Sequence, residues 1–137
     1  MTPIEAVVGA LTGLGLVVVV LTRVRLRAAT PTVGAGLLAL HTGAGLAASV
    51  LWSAFLLAGP DTLLGGPGAG VLALGGWWVA SLAGLAVLMR WLPSKGRHAH
   101  SGAADAWTRG PWLSVLAHVG LLLATVLFTW VYLRGTV

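Results

Sequence analysis

Hydrophobic positions along this chain fall in four long runs, and the polar residues fall almost entirely between them. The runs cover 3–22, 33–58, 70–92 and 112–133. A bilayer core about 30 Å thick needs about 20 apolar residues as helix, so each run predicts one membrane-spanning helix. Helices satisfy their own backbone groups in lipid, and short links make consecutive helices antiparallel. The pattern therefore predicts an all-α membrane protein, a single integral membrane domain over 1–137 built as a four-transmembrane-helix up-down bundle.

The links carry the punctuation. Thr30-Pro31 interrupts the chain before the second run, and Gly59-Pro60-Asp61-Thr62 with Gly65-Gly66-Pro67-Gly68 predicts a turn before the third. The longest polar stretch, Pro93 to Pro111, holds Lys95, Arg97, His98, His100, Asp105 and Arg109. Seven of the eight Lys and Arg lie in or beside the first and third links, which places those links in the cytoplasm and both termini, with Glu5 and Asp61, outside. Trp91 and Trp112 at one border, and Trp130 and Tyr132 at the other, fit aromatic belts. Arg23, Arg25 and Arg27 follow the first run rather than precede it, the reverse of a cleaved secretory signal, so the first span is expected to be retained. Gly9 and Gly13 form a GxxxG pair with Gly15 as a third small position, which either lets a neighbouring helix come close or reflects the tolerance of membrane helices for glycine.

Composition narrows the function classes. Of the 137 residues 58% are hydrophobic and 8% charged, against about 25% charged in soluble domains, so the chain lacks the polar surface to cover itself in water and its first partner is the lipid bilayer. Arg over Lys, with Ala, Gly, Val and Leu abundant, fits a high-GC bacterial genome and hence a bacterial cytoplasmic membrane. The absence of cysteine excludes disulfides, thiolate metal sites and cysteine nucleophiles. The net charge of +5 resides in short, membrane-tethered links, where attraction to anionic lipid accounts for it, and no nucleic-acid partner is expected. No paired carboxylates, nucleophile elbow or phosphate-binding loop occurs. His98 and His100 in the third link have only Asp105 as a further donor, too little for a metal site by themselves.

The chemistry that remains is a pair of histidines. His41 and His118 are the two histidines inside apolar runs, and both begin the pattern His-x-Gly-x-x-Leu-Ala, 77 residues apart. Read as a duplication, the match makes the molecule two related helical hairpins. Counted from Pro31 and Pro111, the two depths differ by about 4 to 5 Å. The second and fourth helices are diagonal partners in an up-down bundle, so the imidazoles are expected to face each other across it. Two imidazoles so placed are the axial pair that six-coordinate haem b requires. Gly45, one turn from His41, would admit a flat macrocycle, and Arg23 and Arg90 stand on the side where propionates would seek cations. Two other readings stay open at this point: a proton or quinone role, and simple packing of neutral rings.

Leu40-His41 leading to Val50-Leu51-Trp52, together with Met89-Arg90-Trp91-Leu92-Pro93, resembles a group of small four-helix membrane proteins of actinobacteria. A histidine early in a span, followed by glycine and a downstream aromatic, also resembles b-type cytochromes of the cytochrome b561 and CopD-like kind. The resemblance implies haem ligation by histidines on different helices, which carries over here to His41 and His118. With one such pair the chain departs from the two-haem pattern and implies one haem at most. The expectation is a small cytochrome, or a haem-bearing subunit, passing electrons between a quinone and a membrane protein partner. The alternative class is a non-enzymatic accessory subunit or a homo-oligomeric scaffold without cofactor.

Overall fold

The computed structural model describes residues 2–26, 34–91 and 112–137. Four helices follow in order: α1 (Pro3–Leu26), α2 (Ala35–Leu57), α3 (Pro67–Trp91) and α4 (Trp112–Leu133). All four are long and apolar enough to cross a membrane. The chain is thus an all-α, multi-pass, membrane-compatible four-helix bundle. The third link, with His98 and His100, lies outside the described residues, as does Arg27.

Helix ends depart from the apolar runs for local reasons. α1 continues past residue 22 through Arg23 and Arg25 to Leu26, because a charge ends the lipid-buried stretch while arginine remains a good helix former. At its start Thr2 and Glu5 cap one another, the Glu5 amide donating to Thr2 Oγ1 at 3.2 Å and the Thr2 amide to Glu5 Oε2 at 2.8 Å. The Thr-x-x-Glu spacing makes this a capping box. α3 begins at Pro67, three residues before the apolar run, since proline suits the first helical position. In the turn before it, a Cβ at Gly65 would run into the carbonyl oxygens of Gly59 and Ala58, so only glycine fits there.

The helices form a ring in which α2 and α3 meet most closely, and among the described residues the α2 and α4 backbones stay apart across the diagonal. Small residues make the α2–α3 seam. A Cβ at Gly76 would stand 2.9 Å from Ala48 Cβ, and one at Gly45 would stand 3.8 Å from Ala80 Cβ. In lipid, helix association relies on close packing rather than on a hydrophobic driving force, which is why the tightest seam is the one lined by Gly and Ala. The expected GxxxG face of α1 behaves otherwise: a Cβ at Gly9 or Gly13 meets nothing within 4 Å, and only Gly15 approaches a neighbour, at Trp77. That face is open within the bundle.

Hydroxyl and indole groups fasten α3 to α4. Trp78 Nε1 donates to Thr129 Oγ1 at 3.1 Å, and Tyr132 donates to the Pro67 carbonyl at 2.8 Å. Ser81 and Thr125 hydroxyls meet at 2.8 Å, and because the Thr125 hydrogen goes to the Leu121 carbonyl, Ser81 is the donor. Ser81→Ala is therefore expected to cost only about 0.6 kcal/mol, since Thr125 keeps its own bond. Reversible unfolding in mixed micelles checks this, and a loss several times larger would mean that the hydroxyl pair, not helix packing, holds α4.

Aromatic side chains fill the end of the bundle near the 59–66 turn. Trp52 and Phe128 bridge the α2–α4 diagonal with ring centres 5.3 Å apart, and Trp77 meets Phe128 edge-on at 5.6 Å. Trp52 and Trp77 are fully buried, yet neither indole N–H has a hydrogen-bond partner.

Candidate functional site

Each intramembrane histidine is the seventh residue of its helix, His41 in α2 and His118 in α4. The depth offset counted from the prolines disappears because α2 starts at Ala35. Side chains at one level on diagonal helices can reach each other only if nothing fills the centre, and here they do. The rings lie 5.8 Å apart centre to centre with their planes inclined by 25°. At both His-x-Gly stretches the histidine points into the bundle, while Gly43 and Gly120 face open space.

Two hydrogen bonds orient the pair. His41 Nδ1 lies 2.8 Å from the Ala80 carbonyl oxygen of α3, and His118 Nδ1 lies 2.7 Å from the Ser114 carbonyl oxygen one turn back on its own helix. A carbonyl oxygen only accepts, so each Nδ1 carries the hydrogen. In a neutral ring the lone pair then sits on Nε2, the nitrogen a metal would take. A backbone carbonyl behind Nδ1 is the usual outer-shell support of a metal-bound histidine, fixing the ring and raising its basicity.

Beside both rings stands Gly84 of α3. A Cβ built there would lie 2.8 Å from His41 Cε1 and 3.0 Å from His118 Cδ2. Any side chain at this position would displace both imidazoles. The residue was not singled out from sequence, although its signal was present: Gly76, Ala80 and Gly84 are spaced by four, a small-residue stripe on one helix face.

The other expected site residues are placed differently. Gly45 does not open toward the histidines; it packs in ordinary contact against Ala80 and, at 3.9 Å, Val19 of α1. The glycine beside the rings is Gly84. Arg90 is exposed and lies six residues beyond Gly84, about 9 Å nearer the arginine-bearing end. Arg23 falls in the last turn of α1 at the same end. Among the described residues no three of His, Cys, Asp or Glu come together, so the pair is the largest ligand set there.

No protein-family model, no curated protein and no solved structure matches this chain. The functional reading rests on the site itself.

Proposed function

We propose that this chain is a small b-type cytochrome, or the haem-bearing subunit of a larger complex, in a bacterial cytoplasmic membrane. It passes electrons between a quinone and a partner protein, with His41 and His118 as axial ligands. The observation that carries this reading is the inward-facing pair at one level, 5.8 Å between ring centres. His41 and His118 would be the residues that hold such a group, each through the Nε2 left free of hydrogen by its Nδ1–H bond. The donor number points the same way. Two protein nitrogens leave a bare divalent ion under-coordinated, whereas a haem would ask the protein for no more than the two donors His41 and His118 supply.

The residues present fit the group in donor chemistry and in having a glycine where a side chain would block the rings. When bound, haem b supplies a one-electron iron couple. The chain's own part is to hold each ring by its Nδ1–H, to keep the surroundings apolar, and to offer Arg90 and Arg23 as cations for propionates at the arginine-bearing end. The basic links support a cytoplasmic position for that end, with both termini outside.

One observation favours a second reading, a cofactor-free accessory or structural bundle whose rings only pack. A Cβ at Gly84 would stand 2.8 Å from His41 and 3.0 Å from His118, so α3 closes tightly on the pair and uptake of a porphyrin requires the helices to part. A visible spectrum separates the readings. The full chain, purified in detergent from cells supplied with haem precursor, is expected to show a Soret band and, after dithionite, sharp α and β bands. A folded but colourless protein would leave the accessory bundle as the reading.

A further inference from the structure

α3 contributes no ring, carboxylate or thiol to the histidine pair, yet contacts that set its geometry run through this helix. In an α-helix the Ala80 carbonyl accepts from the Gly84 amide, and its second lone pair remains available. A helical side chain leans back over the turn preceding its own Cα, so a side chain at position 84 is the one that would cover the Ala80 carbonyl. Gly84 has none. His41 Nδ1 reaches that carbonyl at 2.8 Å, and a Cβ at Gly84 would lie 3.1 Å from Nδ1 as well as 2.8 Å from Cε1.

The rings cannot simply yield. His41 is pinned at Nδ1 by α3, and His118 by the Ser114 carbonyl at 2.7 Å on its own helix. Moving His41 away from a new Cβ breaks its bond to Ala80, and moving His118 alters the separation of the rings. Gly75, next to the seam on the same helix, has nothing within 4 Å of its Cβ position, so the constraint belongs to position 84 and not to α3 as a whole.

We propose that Gly84 is the positioning residue of the pair: it uncovers the Ala80 carbonyl, which holds His41 as its Nδ1–H tautomer, and leaves the floor on which both imidazoles rest. The functional meaning of this role rests on reading the pair as axial ligands, whereas the tautomer follows from the hydrogen bonds alone. It also assigns the two histidines different dependences. The Nδ1–H of His41 is held by a neighbouring helix, and that of His118 by its own.

The test uses the full chain with 15N-labelled histidine in detergent at mildly alkaline pH. Long-range 15N–1H correlation reads the tautomers without any cofactor. The expected wild-type result is Nδ1–H at both His41 and His118. Gly84→Ala is expected to convert His41 to a mixture of tautomers while His118 keeps Nδ1–H, and Gly75→Ala is expected to change neither. With haem supplied, Gly84→Ala should weaken binding tenfold or more, as loss of an outer-shell support does, and shift the spectrum from low spin toward high spin.

A wild-type His41 found as the Nε2–H tautomer overturns the proposal even if Gly84→Ala does not fold. So does a folded Gly84→Ala protein with unchanged tautomers and an unchanged haem spectrum. The expected tautomers in a chain that takes up no haem would support the positioning role while overturning the cytochrome reading.

Discussion

Removing either imidazole is expected to abolish haem uptake while leaving the bundle folded. His41→Ala takes away one of two donors, and no third His, Cys, Asp or Glu stands near enough among the described residues to replace it. Loss of an outer-shell partner already costs 10- to 100-fold in affinity, so loss of an axial ligand should bring haem content below detection in purified protein. The fold should tolerate the change. The Ala80 carbonyl keeps its helical amide partner, and the lost hydrogen bond is worth about 1 kcal/mol. His118→Ala should behave alike, and the double variant should be no worse than either single one, because the two donors act as a unit. The alanine variants also leave a space of imidazole size, so added imidazole should restore part of the Soret band in His41→Ala. Haem titration followed by absorbance, with circular dichroism to confirm folding, provides the measurement. Full haem content in either single variant would show that the pair does not ligate haem.

The second large effect is expected at the opposite end of the bundle. Trp52 is fully buried, stacked on Phe128 at 5.3 Å and tilted against Phe55 at 5.3 Å. It spans the diagonal that the α2 and α4 backbones leave open, so Trp52→Ala removes the stacking contact to α4 from the core cluster and leaves a cavity that those backbones cannot close. A loss of about 3 kcal/mol or more is expected, seen as a lower unfolding midpoint in mixed micelles. Trp52→Phe should stay within about 1 kcal/mol of wild type. It keeps an aromatic ring in the stack and removes an indole N–H that has no partner in the bundle. If Trp52→Phe proves as damaging as Trp52→Ala, the indole N–H is engaged with something the bundle holds in that core, and the packing account of the aromatic cluster fails.

The two ends of the molecule divide the work. Near the 59–66 turn, aromatic rings fill the centre and carry the packing. Toward the arginine-bearing end the centre narrows to small residues and the two histidines, where Gly84 replaces a side chain with space. A haem taken up there would meet a bundle already fastened at its other end by Trp78–Thr129 and Tyr132–Pro67 bonds between α3 and α4. Separation of the helices around the histidines need not unfold the rest.

How much of this was legible in the chain differs from residue to residue. The four spans were, because insertion of about 20 apolar residues as helix is decided by each window by itself. The inward placement of His41 and His118 was legible as well, from their isolation in apolar runs and from helix spacing. Glycine was not. All 20 glycines look alike in sequence, and their meaning depends on what the neighbouring helix presents. Gly9 and Gly13 carry the better-known spacing and face nothing, Gly45 packs against Ala80, and Gly84 lies against both imidazoles. The sequence by itself thus determined which segments are helices, that they suit a bilayer, and which two histidines lie within it, since these follow from local composition and period. Only the tertiary structure decided that the two rings meet and that α3 orients one of them. Those outcomes depend on the rotation and closeness of helices, which no single segment encodes.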